Sequence, residues 1–348
     1  MNGVSWARGL FSAAILSGAA LAATAAGQPA TPPAQRQPAT PLPPAAPKPP
    51  PDPNSLEGHI KAAADAAALD LGGILTVCLP RNGPEPRPAN DSVEPMKIFD
   101  NLYYVGIQSV SAWALTTSQG IIILDTLNNA QQAQTFIEGG LRKLRLDPAQ
   151  IKYIVITHAH ADHYGGATYL ADKFHAQLVM SDDDWKFLEG PQPARGQQAD
   201  RAPIPKRGMS VKDGEKLTLG DTTLEFYITP PHTPGTISII MPLKDGAVSH
   251  VGAEWGGTAF NFQPTAENFT TYAKSAERFK LLATDKGADV PISNHPTFDD
   301  ALIKMNALKM RKPGDPHPFA TGANSVQRYL TVAAECAKAR ATALTENK

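Results

Sequence analysis

From residue 98 onward, apolar positions come in short runs of β-branched and aromatic residues separated by turn-forming residues. The segments NLYYVGIQ (101–108), SAWALTT (111–117) and GIIILDT (120–126) read as successive strands. IKYIVIT (151–157) is apolar almost throughout, as befits a strand buried on both faces, and GGATYLADKFH after it has helical character. Strands are also expected at AQLVMS (176–181), TTLEFYIT (222–229), TISIIMP (236–242) and AVSHVG (247–252), with helices near 267–284, 299–310 and 324–340. An Ala-rich helix around 56–69, ending before Gly72, reads as an N-terminal extension laid against the main domain. Strands and helices interleaved without an internal repeat predict an α/β fold, sheets covered by helices on the outside. Residues 189–208 show no periodicity, and a loop of that length suits a lid or substrate wall.

The first 26 residues break this pattern. One positive charge at Arg8, an apolar stretch from Leu10 to Leu21 and small residues at Ala20, Ala22, Ala23 and Ala25 predict a secretory signal peptide, cleaved after Ala22 or Ala25. An uncleaved N-terminal anchor is the alternative. Residues 27–54 are dominated by Pro and Ala, which favours extended polyproline geometry and a tether, leaving 55–348 as the catalytic domain with its N-terminal helical extension and C-terminal helices. The expected location is periplasmic or secreted, with no integral membrane domain, because no later segment approaches 18 uninterrupted apolar residues.

Composition and charge narrow the function. With 348 residues, 42% of them hydrophobic, the chain can bury the core of one large domain. A formal net charge of -1 and no long Lys or Arg run provide no footprint for nucleic acid, which leaves a small-molecule substrate as the expected partner; nothing in the pattern fixes an oligomeric state. The two cysteines, Cys78 and Cys336, are expected to pair in an oxidising compartment. That bond would close a loop of roughly 260 residues and contribute on the order of 4–5 kcal/mol on the chain-entropy model. Two buried, unpaired thiols are the other reading.

Of nine histidines, three fall in THAHADH, directly after the most apolar strand. His158 and His160, two apart in extended chain, can point the same way, while Asp162 and His163 follow at the turn into a helix and can point elsewhere. One short loop can thus serve two neighbouring metal ions. Completing both shells requires histidines from distant segments, and His232 in TPPHTPGT and His295 in ISNHPTFD each follow a strand beside Pro. Imidazole and carboxylate without thiolate suit zinc, with iron or manganese tolerated. His59, His175, His250 and His317 read as surface or satisfied core.

THAHADH followed by PHTPG and NHP resembles the HxHxDH signature of the metallo-β-lactamase fold superfamily, over roughly residues 96–310. The layout looks most like the third subclass of class B β-lactamases, which uses histidine where other subclasses use cysteine. The resemblance implies a four-layer αββα sandwich with two zinc ions per chain at one edge. His158, His160 and His232 would hold the first ion, and Asp162, His163 and His295 the second, with Asp162 also orienting the attacking water. Asp125 would support the metal loop without ligating. Two metals ~3.5–4 Å apart share a water and lower its pKa towards neutrality, the chemistry of a hydrolase. Serines that would bind a β-lactam carboxylate are missing from VGAEWGGTAFNF, where Thr258 or Asn261 could substitute and Trp255 and Trp113 could form an apolar wall, or belong to the core. Glu254 is a candidate bridging ligand, as in lactonases and glyoxalase-type thioesterases of the superfamily. β-Lactam hydrolysis is thus the leading expectation, a lactonase or esterase the alternative, and an iron-dependent oxidoreductase of the same fold a more distant one.

Overall fold

The computed structural model describes residues 50–79, 91–191 and 202–346. The expected signal peptide, nearly all of the Pro/Ala tether and the centre of the 189–208 loop lie outside the described residues.

Seven strands form one sheet in chain order: β1 (Met96–Lys97), β2 (Leu102–Tyr104), β3 (Trp113–Thr117), β4 (Gly120–Leu124), β5 (Ile151–Val155), β6 (Gln177–Ser181) and β7 (Met209–Val211). β1 to β4 are antiparallel, whereas β4 to β7 pair in parallel. Parallel neighbours need crossover connections. Helical turns between residues 130 and 143, the Ala161–Tyr164 and Ala167–Phe174 helices and the Asp182–Glu189 helix supply them. The second sheet is ordered β12-β11-β10-β9-β8, from β8 (Lys216–Leu219), β9 (Thr222–Ile228), β10 (Ile237–Asp245), β11 (Val248–Trp255) and β12 (Val290–Ser293).

Side chains alternate across each strand, so every strand feeds two apolar layers. In β4, Ile122 and Leu124 enter the core between the sheets, joined from β9 and β10 by Leu224, Phe226, Ile237 and Ile239. Ile121 and Ile123 point the other way, onto helices that contribute Ile137, Leu141 and Leu170. On the far side, Ile240, Ala253 and Trp255 face the long helices Ala266–Asp285 and Ala323–Glu346. Three apolar interfaces therefore separate four layers, helix, sheet, sheet, helix, which is the αββα sandwich expected.

The predicted N-terminal helix forms at Leu56–Ala67, capped by Ser55, whose hydroxyl accepts from the Gly58 N–H at 3.0 Å. Its Ala63 and Ala67 belong to the same core as Ala333 and Ala337 of the last helix. Cys78 and Cys336 are disulfide-bonded, with Cα atoms 4.7 Å apart, so the extension is tied covalently to that helix. No helix among the described residues is long and apolar enough to cross a membrane. β1, β7, β8 and the helices between 130 and 143 and at Asp182–Glu189 were not anticipated: the strands have at most four residues, and the helices are short and interrupted by Gly139 and Gly140 or rich in Asp.

Candidate metal centre

The candidate ligands converge at one edge of the sandwich because each follows the same end of a strand. His158 to His163 leave β5, His232 sits between β9 and β10, and His295 follows β12. Two triads result: His158, His160 and His232, and Asp162, His163 and His295. In the first, His232 Nε2 lies 3.0 Å from His160 Nδ1 and 3.1 Å from His158 Nε2. In the second, His163 Nε2 is 3.3 Å from His295 Nε2 and 3.4 Å from Asp162 Oδ2.

These spacings test the fit to a metal. A tetrahedral zinc with Zn–N bonds of about 2.0–2.1 Å places its ligand atoms roughly 3.3–3.4 Å apart. The two distances from His232 Nε2 in the first triad, 3.0 and 3.1 Å, and the two from His163 Nε2 in the second, 3.3 and 3.4 Å, are close to that separation. Ring nitrogens facing away from the triads are fixed as donors. His232 Nδ1 donates to the Ala259 carbonyl at 2.6 Å and His295 Nδ1 to the Ser109 carbonyl at 2.7 Å. His163 Nδ1 donates to Asp125 Oδ2 at 2.7 Å. Each bond puts the proton on Nδ1 and leaves the Nε2 lone pair for a metal.

The electrostatics agree. Burial, reinforced by the neighbouring imidazoles, pushes His158 and His232 well below the ordinary histidine value, so both present neutral donors. For His163, burial opposes positive charge, but Asp162 and Asp125 outweigh it and carry its pKa up to about 10. Asp162 is itself disfavoured by burial, yet His163, His295 and His160 hold its carboxyl well below the usual range. The two carboxylates thus make a place for positive charge, which a proton or a metal cation can occupy.

A family model described as "Metallo-beta-lactamase superfamily" matches residues 105–249, which contain five of the six ligands. The structure is similar to a subclass B3 metallo-beta-lactamase of Bradyrhizobium japonicum at 29% identity and a TM-score of 0.54, covering 74% of this chain and 93% of that one. Over residues 105–249 the chain is similar to the metallo-β-lactamase superfamily. Curated relatives named as hydrolases match part of the chain. A probable metallo-hydrolase of Bacillus subtilis is 25% identical over 130 residues, 37% of this chain and 54% of that protein. A hydroxyacylglutathione hydrolase of Mesorhizobium japonicum is 32% identical over 89 residues, 26% and 29% of the two chains. These matches span little more than half of the curated relatives' length at most.

Several residues outside the two triads hold these side chains in place. Asp125, at φ 60° and buried, accepts from the Thr157 N–H through Oδ1 at 2.8 Å as well as from His163, the supporting role expected of it. The Thr157 hydroxyl donates to Asp125 Oδ2 at 2.8 Å and lies 3.2 Å from His158 Nδ1, so it can accept from that ring. Asp184 takes hydrogen bonds from Ala159, Thr233 and Gly235, and burial pushes its pKa up to about 6. Sequence reasoning missed Asp184. The signal was the SDDD run, in which Ser181 accepts from the Asp184 N–H at 3.1 Å as a helix cap, while the acid that would complete a capping box turns to the metal loops instead.

The proposed substrate contacts fare differently. Trp113 lies in the core between the sheets, packed edge-on against Tyr104 with ring centroids 5.0 Å apart. Trp255 faces the outer helices and donates from Nε1 to the Tyr272 hydroxyl at 2.8 Å. Thr258 is fully buried, its hydroxyl 2.9 Å from Ser293 Oγ. None of these three can line a substrate cleft: strand alternation and the tight turn after β11 send them inward. Asn261 is exposed. Glu254 is buried and outside both triads; alternation in β11 turns it away from the Trp255 side, towards the interior between the sheets, and neither carboxylate oxygen has a hydrogen-bond partner. Burial, with Asp125 adding to it, raises its pKa well above the ordinary value, and it stands in neither triad. The other four histidines are satisfied or peripheral, as expected, His59 by Glu335, His250 by Asp289 and His317 by the Ile98 carbonyl, with His175 capping a helix in the left-handed conformation.

Proposed function

We propose that the chain is an exported dinuclear zinc hydrolase that opens β-lactam amide bonds in the periplasm. The observation that carries this is the pair of thiolate-free triads, three histidines beside Asp162, His163 and His295, in a fold whose likeness to a subclass B3 β-lactamase extends over 74% of the chain. His158, His160 and His232 would hold one zinc, and Asp162, His163 and His295 the other. Zinc bound there would supply Lewis acidity and bring the pKa of a water towards neutrality. The protein's own part is preorganisation: five imidazoles aimed by hydrogen bonds or packing, and a partly exposed Asp162 placed to orient an attacking water.

A second reading, hydrolysis of a lactone, ester or thioester, is favoured by one specific observation. The stretch from Glu254 to Thr258 offers no exposed hydroxyl to bind a β-lactam carboxylate, since Thr258 is spent on Ser293 inside the fold. The limited match to a hydroxyacylglutathione hydrolase leans the same way.

Zinc-loaded protein, offered a chromogenic cephalosporin, an acyl-homoserine lactone and a glutathione thioester side by side, separates the readings. Cephalosporin turnover that disappears in His160→Ala supports the first. A flat cephalosporin trace with rapid opening of either ester would replace it with the second. The periplasmic location is tested by fractionating cells that express the full chain.

A further inference from the structure

The first triad is assembled from two sheets. His158 and His160 hang from the seven-stranded sheet, and His232 from the loop between β9 and β10 of the five-stranded one. Its geometry therefore depends on what sets the distance between these two loops. The backbone supplies one link, from the Ile237 N–H to the Thr157 carbonyl at 2.7 Å, on the core side of the ligands.

The other link is a single side chain, Asp184, wholly buried at the start of the Asp182–Glu189 helix. Its Oδ2 accepts from the Ala159 N–H at 2.9 Å, the residue between the two ligands of the His-x-His turn. The same oxygen accepts from the Thr233 hydroxyl at 2.6 Å, the residue immediately after His232. Oδ1 accepts from the Gly235 N–H at 2.7 Å. Three donors from two ligand loops thus converge on one carboxylate.

The packing leaves no slack for an alternative. A Cβ on Gly235 would lie 2.6 Å from the Asp184 backbone nitrogen and collide with Ser181 Oγ, so the loop can close on Asp184 only because residue 235 is glycine. The Ser181 hydroxyl in turn fixes the helix start that presents Asp184, accepting from its N–H. Thr233 is braced from behind by Thr236, whose Oγ1 accepts from the Thr233 N–H at 2.8 Å.

We propose that Asp184 is a positioning residue that sets the spacing of His158, His160 and His232 and thereby the metal affinity of the first triad, leaving the second triad to Asp125. The inference rests on the reading that the triads hold metal. Asp125 braces His163 directly and reaches His158 only through the Thr157 hydroxyl, whereas Asp184 holds the loops of all three histidines of the first triad. Carboxylates that orient ligands from behind typically change metal affinity by about 10–100-fold when removed.

The test is a stepwise zinc titration of the full chain against a chromophoric chelator, with cobalt absorption spectra recorded in parallel. Asp184→Ala should weaken one of two binding steps about 10–100-fold, leave the other within about threefold, and alter only the cobalt bands lost in His160→Ala. Asp184→Asn, which keeps an oxygen for Ala159 and Thr233 but not two acceptors, should fall between Ala and wild type, and it serves alone if the Ala variant does not fold. Both steps unchanged in a folded Asp184 variant would overturn the inference while leaving the metal sites standing. Zinc binding in wild type that His160→Ala does not alter would instead overturn the metal reading itself.

Discussion

Asp125 Oδ2 stands 2.7 Å from His163 Nδ1, and the opposite nitrogen of that ring faces His295 at 3.3 Å. The carboxylate fixes the proton on Nδ1 and orients the ring, so the second triad inherits its geometry from a residue that is not a ligand.

Asp125→Asn is expected to lower zinc affinity at the second triad by about 10–100-fold and to cost about 1–3 kcal/mol of stability, because its amide turns a buried donor on groups that donate to the carboxylate. Asn tolerates the positive φ that Asp125 adopts, so the substitution removes the charge without adding backbone strain. Metal analysis after dialysis against a graded chelator series checks this. Full retention of two zinc ions, where wild type also retains two, would show that His163 needs no such support.

Gly257 faces His232 from the turn after β11. A Cβ there would lie 2.6 Å from the His232 Cβ and 2.9 Å from Thr236 Cγ2, closer than side chains tolerate. Because Nδ1 of His232 is tied to the Ala259 carbonyl two residues further on, the ring cannot simply slide away. Gly257→Ala should therefore cost on the order of 10–100-fold in kcat/KM, the loss that misplacing a group by about an ångström can bring. The assay is steady-state hydrolysis of whichever substrate the comparison above selects, and wild-type kinetics would mean that the turn relaxes freely.

The disulfide spans 258 residues of chain and ties the N-terminal extension to the last helix. The Cys78→Ser/Cys336→Ser double variant should lose about 2–5 kcal/mol of unfolding free energy, read from denaturant midpoints with zinc removed from both proteins. Matching midpoints would mean that the alanine-rich packing of Ala63 and Ala67 on Ala333 and Ala337 holds the extension unaided.

The ligands were legible in the sequence because metal chemistry restricts residue type and because β5 announces itself as a continuous apolar run. Interleaved strands and helices were legible from apolar runs such as Ile121 to Leu124, and the four-layer sandwich from the resemblance carried by THAHADH, PHTPG and NHP. Three things resisted. Strands of two to four residues, β1 or β7, carry too few side chains to show a period. Trp113, Trp255 and Thr258 could be assigned to a cleft or a core only once the face each occupies was known, and a slip of one residue exchanges the faces. Asp184 was hidden because its partners, Ala159, Thr233 and Gly235, are backbone groups or lie about 50 residues away, so no local spacing marks them.

Asp299 provides a handle on pH. It is buried, accepts from the Ser293 N–H at 2.9 Å and the Ala301 N–H at 3.1 Å, and burial nonetheless carries its pKa up to about 7 from an ordinary 3.8. Between these values the folded chain keeps a proton that the unfolded chain has released, so unfolding free energy falls as pH rises from about 4 to about 7. Each unit of pKa difference corresponds to about 1.4 kcal/mol, which makes the expected decline on the order of 2–4 kcal/mol. Asp299→Asn is neutral at every pH and should lack this component. Glu254 shifts in the same direction, so the informative quantity is the difference between the two proteins measured in metal-free buffer at pH 5 and pH 8. Relative to wild type, the variant should gain stability at pH 8 over pH 5. Parallel curves would place the Asp299 carboxylate, ionised and satisfied by its two backbone donors, in the folded state throughout.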